Sequence, residues 1–381
     1  MRFIMMAATA VLLCGCAAFQ KHPNTRPMTA ETIQAVGKAP VVVAQNNNGI
    51  EKSWFMVDSS AATASYGLIG GLVGGIMDAI INAGPSRRAQ KAANEVSELL
   101  PADALTTSLL AHLQSQVPAP DSVVSGASLA SVTTVQKVTA PAVADGSLEI
   151  NTSYTLSEDA SAFRVVARVS LGGKNLPYKT PYKFEKSVPK SELTGPAYRN
   201  TFTYHSAQLP VPTLTPELRD RLVASIEASY KDANGAPPAA DSADAKALAK
   251  ELETARDDQL TKDEIAIFLA REWLSDGGAM LKREVESAHA FIARFVVQDL
   301  NSTTVPSFEG QDLLVETSDG RVVRRTGAGL DAGSYVSAPS EVTSFTTYGN
   351  AIAIAKVHSE KIGQLNKQAS AAKQKKKKKS A

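Results

Sequence analysis

The chain has 381 residues and two cysteines, Cys14 and Cys16, with none after them. The long remainder can therefore form no internal disulfide and no cysteine-ligated metal site. Aromatic residues make up 6% of the chain, which argues against a broad stacking platform for sugars or bases. The sequence holds no G-x-S-x-G, no H-E-x-x-H and no phosphate-binding P-loop. Gly327, Gly329 and Gly333 approximate a dinucleotide fingerprint, but no helical pattern follows them, so they read as a loop. The last segment, residues 361–381, lacks acids altogether.

What is present begins at the N-terminus. Met1-Arg2 carries one positive charge, and Phe3 to Leu13 is an apolar run, too short for the roughly 20 residues a spanning helix needs. Leu13-Cys14-Gly15-Cys16 follows. A basic start, an apolar stretch and small residues at a cut describe a secretory signal. These four residues resemble the lipobox of bacterial lipoprotein precursors: leucine, two small residues, then cysteine. Cys14 departs slightly from the usual Ala or Ser. The resemblance covers residues 1–16 and implies cleavage between Gly15 and Cys16, with lipid on the Cys16 sulfur and its new amine. Ala17, in place of Asp, implies the outer membrane. The protein is then expected in the cell envelope, facing the periplasm, with no free thiol. Each buried acyl CH₂ adds about 0.8 kcal/mol, so two or three chains hold firmly.

Charge is uneven. The net +2 of the whole chain divides, once the signal with Arg2 is removed, into −7 up to residue 360 and +8 over 361–381, from Lys361, Lys367, Lys373 and Lys375 to Lys379. Consecutive lysines repel, so 367–381 reads as a basic disordered tail. Lys375, Lys376, Lys377, Lys378 and Lys379 suit an anionic envelope surface, or serve only as a frayed solubilising end. Nucleic acid is not expected as a partner.

Residues 59–77 carry no charge. At helical spacing Gly67, Gly70, Gly71, Gly74 and Gly75 share one face with Asp78, while Leu68, Ile69, Leu72, Val73, Ile76 and Met77 take the other. Glycine costs a helix about 1 kcal/mol per residue against Ala, so a repeated stripe calls for close backbone approach. The pattern looks like a glycine zipper over 65–84. Packing within the domain, self-association and membrane insertion all remain open, with Asp78 costly for the last.

The expected fold class is α+β: an antiparallel sheet packed with helices, plus the glycine-striped helix. The expected order is a signal peptide (1–15), a tether (16–38), an N-terminal α+β region (39–231), a linker (232–242), a helical region with a C-terminal β-hairpin (243–366) and the tail. PVVVAQ, NNNG and KSWFMV read as strand, turn, strand over 40–57. Residues 147–156, 162–171 and 198–206 alternate with period two, the first two joined as a hairpin through SEDAS. Helices are expected at 86–100, 102–117, 215–231, 243–258, 262–275, 279–300 and 350–366. Thr261 and Glu264 form a capping-box pattern, and Leu281, Val285, Ala288, Ile292 and Phe295 form a core stripe. Asp319-Gly320 reads as a two-residue hairpin turn.

Candidate chemistry is sparse. Of five histidines, only Glu286 and His289 have ligand-like i, i+3 spacing, and a di-iron site would need that motif twice. Asp257, Asp258, Asp263 and Glu264 sit at helix ends, where the dipole accounts for acids. Arg321, Arg324 and Arg325 could hold an anion or line a solvated strand. No cofactor, metal or catalytic residue is expected, and the function read from these features is a lipid-anchored envelope protein with a structural, assembly or binding role. A periplasmic hydrolase-like enzyme whose site is dispersed in sequence, or an oligomer inserted through the glycine-rich helix, are the alternatives.

Overall fold

A computed structural model describes residues 22–36, 42–47, 49–52, 92, 94–116, 133–134, 147–157, 159–172, 180–182, 195–307, 309–318 and 320–340. The signal, Cys16, the glycine stripe, the helix expected at 350–366 and the lysine tail lie outside them.

The chain is α+β. Helices α1 (Ala30–Val36), α2 (Ala102–Ser115), α3 (Pro216–Ser229), α4 (Ala243–Ala255) and α5 (Lys262–Leu300) accompany strands β1 (Val42–Asn46), β2 (Ile50–Lys52), β3 (Thr133–Thr134), β4 (Ser147–Leu156), β5 (Phe163–Gly172), β6 (Tyr198–His205), β7 (Leu313–Ser318), β8 (Arg321–Arg325) and β9 (Tyr335–Pro339). The sheet runs β3-β1-β4-β5-β6-β9-β8-β7, with β2 also against β4.

The alternation in sequence sets the centre of this sheet. β4 and β5 pair antiparallel from Ser147↔Gly172 to Leu156↔Phe163, as the hairpin pattern requires. Phe163, Val165, Ala167, Val169 and Leu171 are all buried. The turn is held by Asp159, whose carboxylate accepts from the Ser161 amide (3.0 Å) and hydroxyl (2.7 Å). β7 and β8 pair antiparallel out to Ser318↔Arg321, and Gly320, just before β8, has φ +73°.

The sheet is mixed rather than wholly antiparallel. β1, β2 and β9 run parallel to β4, β4 and β6 respectively. β1 and β2 do not form the hairpin that NNNG suggested; they lie one after the other along the same edge of β4. Asn46 pairs with Asn151 and Ile50 with Tyr154, so one extra residue jogs the strand without reversing it. Asn47 fixes the jog. Its Oδ1 accepts from Gly49 N at 3.0 Å, and its Nδ2 donates to Ala102 O at 3.2 Å and Thr106 Oγ1 at 2.7 Å at the start of α2. The β6–β9 pairing carries the sheet across the 232–242 segment.

α5 organises the helices. The capping box forms, with Thr261 Oγ1 accepting from Glu264 N (3.2 Å) and Glu264 Oε2 accepting from Thr261 N (2.6 Å). Between the two expected helices the backbone breaks: Ser275 is extended, and Asp276, Gly277 and Gly278 are left-handed. Gly278 has φ +74°, and a Cβ there would also come within 2.0 Å of Leu99 Cδ2, so the position favours glycine. After the break the stripe Leu281, Val285, Ala288, Ile292 and Phe295 is at most 2% exposed and packs in one core with the inward faces of β4, β5 and β6. Each large apolar side chain so buried contributes roughly 1.5–3 kcal/mol. Before the break, Ile265, Phe268, Leu269 and Ala270 join α3 in a second core.

Residues 23–28, inside the stretch expected to be a tether, are built into the body. Arg26 exchanges backbone hydrogen bonds with Arg199 of β6 (2.6 and 3.0 Å), and Asn24 N donates to Leu330 O at 2.8 Å. Thr25 Oγ1 donates to Ala332 O, and the Tyr182 hydroxyl donates to Thr25 O, both at 2.5 Å. This strap occupies the start of β6, where β9, paired only with Phe202 to Tyr204, does not reach.

Candidate functional site

The Glu286–His289 pair picked out by spacing lies after the break in α5, facing α2 and β4, with Glu286 at the surface and His289 in the core. His289 is 0% exposed. Its Nε2 is 2.8 Å from the Tyr154 hydroxyl on β4, and its Nδ1 is 2.8 Å from Ser108 Oγ on α2. Ser108 Oγ is also 2.8 Å from Glu286 Oε1, and His112 Nε2 is 2.8 Å from Glu286 Oε2. The five side chains form a continuous file from the core to an open hollow bordered by Asp103, Thr107, Ser108, His112 and Glu286.

Electrostatics fix the direction of the protons. The hydrogen bond from His112, helped by that from Ser108, lowers the Glu286 pKa, so this carboxylate is ionised and only accepts. Burial lowers His289 to about 4, so its ring is neutral near pH 7. Burial pushes the Tyr154 phenol well above its usual range, so it keeps its proton. The assignment that satisfies every atom has Tyr154 O–H donating to His289 Nε2, His289 Nδ1–H to Ser108 Oγ, Ser108 O–H to Glu286, and His112 Nε2–H to Glu286. The lone pair of His289 faces the core phenol, and the Ser108 proton already belongs to a carboxylate. A serine nucleophile needs the reverse, an imidazole lone pair aimed at its hydroxyl. The file joins α2, β4 and α5 and acts as a polar clamp.

A second buried cluster lies about 15 Å further along α5. Asp299 is 2% exposed. Its Oδ2 accepts from the Tyr198 hydroxyl (2.9 Å) and Asn200 Nδ2 (2.7 Å), and Arg325 is 3.5 Å from Oδ1. Burial raises the Asp299 pKa against these partners. An acid is disfavoured at a helix C-terminus, so its place in the last turn of α5 is explained by these donors rather than by the helix.

Two of the three hairpin arginines, Arg321 and Arg325, are used internally. Arg321 lies over the Tyr204 ring at 4.1 Å from its centroid and donates to His205 O, and Arg325 reaches Asp299, Gly333 O and Thr304 O. Gly327, Gly329 and Gly333 lie in the loops between β8 and β9, as expected. Among the described residues no group of three or more His, Cys, Asp or Glu side chains is arranged to hold a metal, and no helix is long and apolar enough to cross a membrane. Gly15, Cys16, Gly67, Gly70, Gly71, Gly74, Gly75 and Lys375 to Lys379 lie outside the described residues. Sequence reasoning missed Ser108 and Tyr154; the i, i+4 spacing of Ser108 and His112 on an expected helix was the available signal. No known family, curated protein or solved structure matches this chain.

Proposed function

We propose that the protein is a lipid-anchored, non-catalytic component of the bacterial cell envelope. The carrying observation is Leu13-Cys14-Gly15-Cys16 in a chain with no other cysteine. In this reading Cys16 bears the lipid, the body faces the periplasm from the outer membrane, and the glycine stripe at 67–75 packs against a partner or a second copy. The Lys375 to Lys379 run adds attraction to anionic headgroups, about 1 kcal/mol per lysine near a charged surface. The strap at 23–28 supports a structural role, because it ties the segment after Cys16 directly to β6. The clamp at His289 supports it too, since its polar groups are spent on one another.

The test is the intact mass of the N-terminal peptide from the mature protein, with membrane fractionation of wild type and Cys16→Ala. The expected result is a cleaved, acylated Cys16 and loss of the variant from the membrane fraction. An unmodified Cys16 in a soluble wild type overturns the reading.

A further inference from the structure

The strap also gives the body an orientation. Cys16 precedes the first described residue, His22, by six residues, which span at most roughly 20 Å when extended. From there the chain enters a fixed path: His22 stacks on Tyr182 with ring centroids 5.3 Å apart, and Asn24, Thr25 and Arg26 are bonded to Leu330, Ala332 and Arg199. A lipid on Cys16 therefore holds one particular end of the body near the bilayer.

That end carries exposed apolar side chains. Four large hydrophobic residues are exposed among the described ones, Val305, Leu313, Leu314 and Leu330, and two of them flank the strap. Leu330, 44% exposed, accepts the Asn24 amide through its carbonyl. Val305, 50% exposed, precedes Pro306, and a Cβ on Gly333 would meet both Pro306 (2.7 Å) and Thr25 Oγ1 (2.9 Å). Two loops thus bring an exposed apolar residue close to the strap. Among the described residues, neither belongs to a core cluster.

We infer that the loop surface bearing Val305 and Leu330 rests on the lipid bilayer to which Cys16 is anchored, with these two side chains seated at the headgroup–acyl boundary. This rests on the anchoring reading above. The anchor supplies most of the attachment; the loops set which face of the body meets the membrane and which is turned to the periplasm.

The full chain, processed in cells and purified, is compared as three variants, Val305→Cys, Leu330→Cys and Ala239→Cys, the last in the turn ahead of α4. Each is labelled with the environment-sensitive fluorophore NBD and reconstituted into phosphatidylethanolamine–phosphatidylglycerol vesicles with brominated acyl chains. An acylated Cys16 offers no competing thiol. The expected result is blue-shifted emission, mostly lost to bromine quenching, at 305 and 330, with neither effect at 239. Unquenched, water-like emission at 305 and 330 from protein that floats with the vesicles and shows an acylated Cys16 by mass overturns the orientation while leaving the anchor intact. Protein that does not float and has an unmodified Cys16 overturns both, and the mass distinguishes the two failures.

Discussion

Two polar clusters on one helix solve the same problem differently. At His289 the buried group gives up its charge: burial holds the imidazole neutral, and its protons run outward to an ionised, half-exposed Glu286. At Asp299 the buried group is surrounded instead by donors, Tyr198, Asn200 and Arg325, in a closed setting. The cost of burying a charge is met by neutralisation in the first case and by partners in the second. The clusters also fasten different things. His289 joins α5 to α2 and β4, while Asp299 joins the end of α5 to β6 and β8.

The largest expected effect comes from breaking the closed cluster. Asp299→Ala leaves Arg325, Tyr198 and Asn200 short of an acceptor and should cost about 3–5 kcal/mol, the usual range for removing one partner of a buried ion pair. Chemical denaturation of the purified body would show it as a lower midpoint. An unchanged midpoint would mean that water already satisfies these donors.

Acid sharpens the comparison, because the two clusters respond with opposite sign. The His289 pKa falls from 6.5 unfolded to about 4 folded, so between those values the unfolded chain binds the extra proton. Its contribution is complete above pH 6.5 and is lost as pH falls towards 4, roughly 3 kcal/mol in all. His205, lowered to about 4 by burial and by Arg164 and Arg321, adds a second such slope. Asp299 has a folded pKa above its unfolded 3.8, so stability falls as pH rises from 3.8 through the folded value. His289→Phe should therefore flatten the loss of stability on acidification, and Asp299→Asn should steepen the net rise above pH 3.8. Melting temperatures from pH 4 to 7 decide it; parallel curves for His289→Phe and wild type would remove the neutral-imidazole account.

The smallest effect lies outside both clusters. Thr261→Ala removes one half of the capping box at the start of α5 and should cost about 1 kcal/mol, a drop of a few degrees in melting temperature. If its loss matched that of Asp299→Ala, the helix would depend on its first turn as much as on the closed cluster.

The sequence exposed those features that depend on local period. Alternation placed β4, β5 and β6 nearly residue for residue, and the 4-3-4-3 stripe identified the buried face of α5. The capping box and the β7–β8 pairing were equally local. NNNG misled because turn residues supply positive φ both to a reversal and to a jog, and only pairing with β4 selects between them. The Glu286–His289 spacing was visible, yet its partners were not, because Ser108 and Tyr154 arrive from α2 and β4, far away in the chain. Asp299 was hidden for the same reason: its donors come from β6 and β8.

By itself the sequence determined the local elements and the position of the helix break, since each depends on residues within a turn or two of one another. Only the tertiary structure decided that β1, β2 and β9 run parallel to their neighbours, that residues 23–28 are a strap against β6, and that His289 and Asp299 are buried with the partners they have. Those outcomes are set by which distant surfaces exclude water together, and hydrophobic burial carries no record in sequence spacing of which surfaces will meet.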